Sequence, residues 1–280
     1  MINPFARRQF LQRFALGVTS AVMFAACTPS SEVPETDDTA ATDGGDGAVE
    51  TLIVATEPAF PPFEFQADDG SYDGFDIDLM NAIADAAGFE VQYESLPFDG
   101  IIPALQAGTV DAAISAMTIT EERSQTVDFS MPYFKAGLAI AVKEDNTEIT
   151  SLESLQGKTI AVQIGTTGAA TANDIEGATV STFDSAPLAL QELVNGNADA
   201  VINDAPVTLD AIASGNIEGI TVVGELLTEE FYGIATPQGA DSLELINSGL
   251  ATIIENGTYA EIYSKWFGAE PPELPTEVTF

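Results

Sequence analysis

The stretch SAMTITEER, residues 115–123, places several anion-binding groups where a strand is predicted to run into a helix. The residues DAAIS at 111–115 are mostly apolar, as in a buried parallel strand. Thr120 followed by two glutamates predicts a helix N-cap, so the amides from Ala116 to Thr120 lie near the positive end of a helix. Arg123 adds a planar fork of donors that suits a carboxylate. The stretch therefore fits a carboxylate site, or alternatively a plain cap with a surface ion pair at Arg123.

Six further motifs occur in order along the chain: TEPAFPPFEF at 56–65, GFDIDL at 74–79, FDGIIPAL at 98–105, GTTG at 165–168, NGTY at 256–259 and IYSKWFG at 262–268. Together with residues 115–123 they resemble the amino-acid-binding family of extracellular (periplasmic) solute-binding proteins of ABC importers. The resemblance runs from about Thr51 to Gly268. It implies an amino-acid ligand, an ABC permease in the membrane as the partner and no cofactor, and it favours the carboxylate site over the plain cap.

The charge of the chain argues against several classes of partner. Its 280 residues include 44 acidic and 8 basic side chains and no histidine, for a formal net charge of −36. Such a surface repels nucleic acid and anionic lipid headgroups, so we expect no nucleic-acid partner. It also suits a saline environment, in which screening reduces self-repulsion.

The N-terminal segment has the features of an export signal. Arg7 and Arg8 form a twin-arginine pattern, and the apolar run at 14–26 is too short for a typical membrane span. The run ends in FAAC, which resembles a bacterial lipobox although Phe24 stands where leucine is usual. We expect residues 1–26 to be the signal, Cys27 to carry a lipid anchor and residues 27–50 to be an acidic flexible tether. The alternative is that Cys27 is an incidental thiol. With the signal and the lipid anchor, the mature protein would lie on the periplasmic or extracellular face of the membrane.

The element order predicts an α/β protein of two lobes. Residues 51–115 follow a β-α-β-α-β pattern, and a second such round begins at Thr159, so each lobe should hold a mostly parallel sheet flanked by helices. A further strand is predicted at 232–236. By resemblance, the lobes are joined by two crossing strands, and the protein is a monomer. Lobe 1 would comprise residues 51–135 and 231–268, and lobe 2 would comprise residues 136–230. Residues 269–280 would form a C-terminal tail. The ligand would lie in an interlobe cleft that closes by hinge bending.

Several candidate ligand-binding residues lie at the predicted carboxyl ends of strands, where ligands of such sheets sit. By resemblance, Arg123 and Thr167 bind the ligand carboxylate, and Asp204 pairs with the ligand ammonium. The aromatic residues Phe60 and Phe98 would flank the ligand side chain, while Phe63 and Phe65 are assigned to the core. The full set of candidates is Glu57, Phe60, Phe98, Ser115, Ala116, Thr118, Arg123, Gln163, Thr167 and Asp204.

The positions that face the ligand side chain in this family are Glu57, Ser115 and Gln163 in this chain. A carboxylate at Glu57 and aromatic faces beside it favour a cation, so the expected ligand is arginine or lysine, with glutamine next. Gln163 stands where glutamine-selective relatives tend to carry a lysine. The positive charge of that lysine, which would repel a cationic ligand, is therefore absent from this chain.

Two other functional classes stay open at this point. The chain has no histidine, and its one cysteine lies outside the folded body, so a Ser-His-Asp triad and a histidine metal site are excluded. Paired carboxylates could still perform acid–base chemistry, as in a dehydratase or lyase on the same two-lobe fold. An amino-acid-sensing envelope lipoprotein is the third class. We predict a binding protein with no catalytic residue and no metal.

Overall fold

The structure is a computed structural model that describes residues 49–280. The predicted signal, Cys27 and nearly all of the tether lie outside the described residues. Within the described range, no helix has the length and apolar character needed to cross a membrane.

Two five-stranded sheets organise the described chain. The strands are β1 (Thr51–Thr56), β2 (Ala59–Phe60), β3 (Glu64–Gln66), β4 (Tyr72–Asp73), β5 (Glu90–Ser95), β6 (Ala112–Ala113), β7 (Val127–Phe129), β8 (Phe134–Ala136), β9 (Leu138–Lys143), β10 (Thr159–Gln163), β11 (Thr179–Phe183), β12 (Ala200–Asp204), β13 (Ile220–Val223), β14 (Glu230–Tyr232) and β15 (Ala235–Pro237). The helices are α1 (Phe75–Ala87), α2 (Phe98–Ala107), α3 (Glu121–Ser124), α4 (Thr167–Asn173), α5 (Ala186–Asn195), α6 (Ala205–Ala213), α7 (Ser242–Glu255) and α8 (Thr258–Phe267).

Each sheet has a parallel half and an antiparallel half. The first sheet has the order β5-β1-β6-β15-β7, and the second has the order β11-β10-β12-β9-β13. In both, the first three strands are parallel, and the last two pair in antiparallel fashion. The parallel halves agree with the β-α-β rounds in the sequence. The structure is therefore an α/β fold of two lobes, each with a mixed sheet.

Two short strands carry the chain between the lobes. Strand β8 leads into the second sheet, β14 returns from it, and the two pair in antiparallel register. The prediction of one strand over 232–236 was wrong, because the chain leaves β14 at Tyr232 and joins the first sheet only at Ala235. Between them the amide of Gly233 donates to the carbonyl of Met117, and a Cβ on Gly233 would lie 2.8 Å from side-chain atoms of Ile119. A change of sheet and a close packing contact therefore separate the two strands.

Local sequence signals set the ends of the helices that border the cleft. Helices α1 and α2 end at Gly88 and Gly108, both with left-handed backbone angles that cost glycine little. Helix α1 turns its apolar face to the core of lobe 1, where Phe75 and Phe63 are fully buried. Phe63 meets Phe134 of β8 edge to face, with ring centroids 4.8 Å apart. The crossing strand is thus anchored to the same core that supports the site.

Candidate ligand-binding site

A small cavity lies between the carboxyl ends of the two sheets. It is lined by all ten predicted residues and by one that was not predicted, Thr166. Glu57 directly follows β1, whereas Gln163 and Asp204 are the last residues of β10 and β12. Both lobes therefore direct the ends of their central strands to one space. Their part in ligand binding stays a prediction.

Arg123 reaches across the cleft from a short helix. Thr120 caps α3, as predicted, by accepting the Arg123 amide at 3.2 Å. The guanidinium donates to the Thr118 carbonyl at 2.7 Å and to the Gly165 carbonyl of the other lobe at 2.9 Å. It lies 5.3 Å from the centre of the Phe98 ring, within cation–π range. None of the ion pairs found among residues 49–280 involves Arg123, so the alternative of a surface ion pair is not supported.

Gly165 brings the second lobe close to the first beside this arginine. Its φ of 77° is in the left-handed region, and a Cβ there would lie 3.1 Å from the Cβ of Asp99 in the first lobe. Glycine meets both requirements, because it has no side chain to place in this gap. The lobes therefore contact each other in this structure.

Asp204 supplies a buried carboxyl group to the cavity. It receives a hydrogen bond from the hydroxyl of Tyr232, which is fully buried. Burial raises the pKa of Asp204 to about 7. The hydrogen bond from Tyr232 and the positive charge of Arg123 lower this pKa, whereas the negative charge of Glu230 raises it. A cationic group placed beside Asp204 would favour its ionised form. Sequence reasoning missed Tyr232, whose role depends on the path of the returning strand.

Glu230 is a second residue that sequence reasoning missed. Its Oε2 accepts the hydroxyl of Thr118 in one lobe at 2.8 Å and the hydroxyl of Thr167 in the other at 3.1 Å. Thr228 donates to its Oε1 at 3.0 Å. One carboxylate thus holds two predicted carboxylate-binding residues together. No local pattern distinguishes Glu230 from its neighbour Glu229, which forms a surface ion pair with Lys135.

The Thr118 backbone amide remains available to a ligand. The Ile119 amide donates to the Phe231 carbonyl, and the Met117 carbonyl accepts the Gly233 amide. These bonds join the residues on either side of Thr118 to the returning strand, so the Thr118 amide points away from that strand. Within residues 49–280, its N–H donates to no other group. The cavity thus presents an amide donor as well as the guanidinium.

The far end of the cavity is formed by Glu57 and Gln163. The Gln163 amide nitrogen donates to Glu57 Oε2 at 2.8 Å and to the Asp184 carbonyl at 3.3 Å. These two acceptors fix the orientation of the amide, so its Oε1 is turned away from them. This oxygen is buried and receives no hydrogen bond from residues 49–280. Burial raises the pKa of Glu57 to about 7; the Gln163 hydrogen bond lowers it, and Asp99 raises it.

Ser115 and Ala116 line the cavity but also have partners behind it. The Ser115 hydroxyl donates to Glu64 at 2.9 Å and accepts the Glu57 amide at 3.0 Å, so its proton is already used. Ala116 has a φ of 45°, and its amide donates to Asp76 at 2.8 Å. The Ser115 proton is therefore unavailable to a ligand side chain, although Ser115 lines the cavity.

The aromatic residues divide between the cavity and the core. Phe60 is buried, lines the cavity and packs on Phe63 with ring centroids 6.3 Å apart. Phe98 is half-buried beneath Arg123. Phe63 is in the core, as predicted, but Phe65 is only half-buried and meets Trp266 edge to face. Phe65 was wrongly assigned to the interior, because it lies in a small three-stranded sheet, next to the exposed Gln66.

These groups suit a ligand with charges of both signs. Arg123 and the Thr118 amide can bind a carboxylate, and the Asp204 carboxyl can pair with an ammonium. At the far end, Glu57 contributes a carboxyl group and Gln163 contributes an unpartnered oxygen. Residues 49–280 contain no cluster of His, Cys, Asp and Glu arranged to hold a metal ion.

Curated relatives of this chain are binding proteins for amino acids. The arginine-binding periplasmic protein of Mannheimia haemolytica is 37% identical over 225 residues, which cover 78% of this chain and 92% of the relative. The L-cystine-binding protein TcyJ of Escherichia coli strain K12 is 33% identical, covering 79% of this chain and 84% of the relative.

Solved structures with the same fold include an ancestral arginine-binding protein bound to arginine, with 48% identity, a TM-score of 0.74 and coverage of 78% of this chain and 98% of that chain. The arginine-, lysine-, histidine-binding protein ArtJ of Geobacillus stearothermophilus has 37% identity and a TM-score of 0.76, with coverage of 79% and 97%. The ancestral amino acid-binding protein AncCDT-1, described as a precursor of cyclohexadienyl dehydratase, has 42% identity and a TM-score of 0.71, with coverage of 78% and 95%.

A family match accounts for the folded body as a whole. Residues 52–269 match the bacterial extracellular solute-binding proteins, family 3. This span includes both sheets apart from Thr51, the first residue of β1, and every residue that lines the cavity. The chain therefore belongs to family 3 of the bacterial extracellular solute-binding proteins.

Proposed function

We propose that this protein captures a basic L-amino acid, arginine or lysine, in the interlobe cavity and delivers it to an ABC permease in the membrane. Glutamine is the next candidate ligand. The observation that carries the proposal is the far end of the cavity, where the Glu57 carboxyl and the unpartnered Oε1 of Gln163 lie together. No cofactor takes part.

The far end of the cavity favours a side chain that carries donors only. A guanidinium or ammonium group can donate to both Glu57 and Gln163 Oε1 and has no acceptor to satisfy. Glutamine could donate through its amide nitrogen, but its carbonyl oxygen would need the Gln163 nitrogen, which already donates to Glu57. Phe60 and Phe98 add aromatic faces that attract a cation. Relatives whose names include arginine support this ligand class.

The near end of the cavity supports recognition of the α-amino-acid group. Arg123 and the Thr118 amide would bind the carboxylate, and Thr167 would contribute from the other lobe. Asp204 would bind the ammonium, held in orientation by Tyr232. Ala116 would contribute backbone groups, as predicted for the stretch that begins at Ser115.

The cellular setting forms part of the same proposal. Residues 1–26 would direct export, Cys27 would carry the lipid anchor, and residues 27–50 would hold the body away from the membrane as a monomer. Lobe 1 would comprise residues 51–135 and 231–268, lobe 2 residues 136–230, and the tail residues 269–280. An amino-acid-sensing lipoprotein would use the same body, and loss of arginine uptake on deletion of the protein distinguishes transport from sensing.

The wild type is expected to bind arginine or lysine more tightly than glutamine, and Glu57→Gln should remove that preference. The physical reason is the loss of the carboxylate that pairs with the cationic side chain. Isothermal titration calorimetry in high salt measures the three affinities, because salt screens attraction to the overall negative charge.

Glu94→Gln is a suitable control for this experiment, because it removes one carboxylate from an exposed position on β5. It should leave the ranking of the three ligands unchanged. Tightest binding of glutamine by the wild type, or an unchanged ranking in Glu57→Gln, would contradict the basic pocket.

Ligand is expected to stabilise the closed arrangement of the lobes without being altered. At about 100 times its dissociation constant, it should add about 2.7 kcal/mol to the free energy of unfolding, so the melting temperature should rise. Small-angle scattering should show a more compact particle.

The dehydratase alternative is tested in the same samples. The family likeness to AncCDT-1, a precursor of an enzyme, is the observation that makes this test necessary. Chromatography after long incubation should recover the amino acid unchanged. Sustained conversion would instead assign the cavity to an enzyme.

A further inference from the structure

Two fully buried carboxyl groups lie directly behind the cavity. Glu64 is the first residue of β3, Asp76 is the second residue of α1, and both have no exposed surface. Glu64 Oε1 accepts the Ser115 hydroxyl at 2.9 Å. Asp76 Oδ2 accepts the Ala116 amide and the Tyr133 hydroxyl, both at 2.8 Å. One oxygen of each carboxyl group therefore has its partners.

The other two oxygens of this pair lack a donor. Glu64 Oε2 and Asp76 Oδ1 are buried and accept no hydrogen bond from residues 49–280. The two carboxyl groups are close enough to act on each other, because Glu64 accepts from Ser115 and Asp76 accepts from the adjacent Ala116. Two ionised carboxylates would repel each other here, and each would leave a buried oxygen unsatisfied. A single proton held between the two carboxyl groups would remove this repulsion.

The surroundings of the pair favour this proton. Burial, followed by the charge of Asp76, raises the pKa of Glu64 well above its usual range. Burial also raises the pKa of Asp76, while hydrogen bonds from Ala116, Tyr133 and Glu64 oppose this rise. None of the ion pairs among residues 49–280 includes either group.

Three further titratable groups act on the pair, and none of them is cationic. Glu57 lies beyond β1, Tyr133 precedes β8, and Tyr93 lies on β5. A negative charge on Glu57 adds to the repulsion at Glu64. The proton between the carboxyl groups is therefore not replaced by a nearby lysine or arginine.

We propose that Glu64 and Asp76 are positioning residues that share one proton and hold Ser115 and Ala116 in the conformation that faces the ligand. This inference rests on the proposed function for its ligand, although the shared proton itself does not. Neither carboxyl group lines the cavity. Glu64 acts through Ser115, which holds the Glu57 backbone amide, and Asp76 acts through Ala116.

The position of Ala116 shows why such support is needed. A φ of 45° costs a residue with a Cβ more than it costs glycine. The Asp76 carboxylate compensates by accepting the Ala116 amide in that conformation. Ionisation of both carboxyl groups would drive Glu64 and Asp76 apart and would release Ser115 and Ala116 together.

Infrared spectroscopy of the ligand-free protein tests the shared proton. With ¹³C-labelled glutamate, the full chain should show the carbonyl band of a protonated glutamate at pH 8, where exposed glutamates are ionised. Glu64→Gln should remove that band, and Glu94→Gln on the surface should retain it. A spectrum without the band in the wild type would overturn the shared proton, whatever the protein binds.

A double-mutant cycle on arginine affinity tests the positioning role. Glu64→Gln and Asp76→Asn each keep one donor between the two groups, so each should weaken binding less than about threefold. In the double variant, the side-chain amides introduced at positions 64 and 76 lie against each other. Whichever way these amides are turned, one N–H donor lacks an acceptor. The double variant should lose about tenfold more than the product of the single effects. Tighter binding in Glu64→Gln would indicate two ionised carboxylates and would overturn the proposal.

Ser115→Ala keeps the test decisive if the double variant does not fold. It should retain the infrared band but weaken arginine binding, because Glu64 can no longer hold the Glu57 amide. Wild-type affinity in Ser115→Ala would overturn the positioning role. If the wild type binds none of the amino acids, the proposed function fails while the infrared result on the pair still stands.

Discussion

Replacing Asp204 or Arg123 by alanine is expected to weaken amino-acid binding at least ~30-fold. Loss of one partner from a buried, hydrogen-bonded charge pair costs roughly 2–5 kcal/mol. Asp204→Ala would leave the ligand ammonium without its carboxylate and the Tyr232 hydroxyl without its acceptor. Arg123→Ala would remove the donor to the ligand carboxylate and the bond to Gly165 across the cleft. Calorimetry with arginine measures both effects.

The two controls carry matched changes of charge on the surface. Glu225→Ala removes an acid from an exposed loop position, and Lys158→Ala removes a cation that pairs with the exposed Glu148. Both should bind arginine as the wild type does. Asp204→Asn keeps the size of the side chain and separates loss of charge from loss of packing. Wild-type affinity in Asp204→Ala or Arg123→Ala would refute the clamp on the α-amino-acid group.

Arginine affinity is expected to fall steeply as the pH is lowered below about 7. Burial raises the pKa of both Glu57 and Asp204 to about 7 in the ligand-free structure, whereas a bound cation favours the ionised form of each. Binding must therefore displace a proton from each group at lower pH. The expected loss is about tenfold per pH unit for each carboxyl group, down to its pKa in the complex.

The pH dependence divides between the two groups in defined variants. Glu57→Gln and Asp204→Asn should each remove one part of the slope in a plot of affinity against pH. Calorimetry in buffers with different ionisation enthalpies should detect proton release near pH 7. An affinity that does not change between pH 8 and pH 5 would show that neither carboxyl group pairs with a ligand cation.

The same shifts have the opposite sign for folding without ligand. Both pKa values lie above the usual values of 4.5 and 3.8, so the folded state binds more protons than the unfolded state between about pH 4 and pH 7. The contribution of these groups to the free energy of unfolding therefore falls as the pH rises through this window. Urea unfolding of the ligand-free protein at several pH values measures it.

Local sequence patterns determined most of the secondary structure. The second β-α-β round begins at Thr159, as predicted, because strand β10 starts there. Gly88 and Gly108 end α1 and α2, and Thr120 caps α3 as predicted. These signals depend on near neighbours in the chain, so they can be read without the fold.

The sequence also identified the residues that the fold brings together. The ten candidates were chosen partly because they follow strands and partly because of the family resemblance, and all ten line one cavity. In α/β sheets the carboxyl ends of parallel strands meet at one edge, so position along a strand carries information about the site. Residues 1–48 are outside the described structure, and the signal and lipid anchor stay predictions.

Only the tertiary structure showed how those residues are supported and which of their atoms are free. The bonds of Glu230 to Thr118 and Thr167, of Tyr232 to Asp204 and of Glu64 to Ser115 join residues 28 to 112 positions apart. The unpartnered oxygen of Gln163 depends on such a distant contact, since Glu57 fixes the amide. The sequence determined the residue types and the strand ends, because those follow from local periodicity and capping. The hydrogen-bond partners were decided by the crossing strands and by burial, because they join residues far apart in the chain.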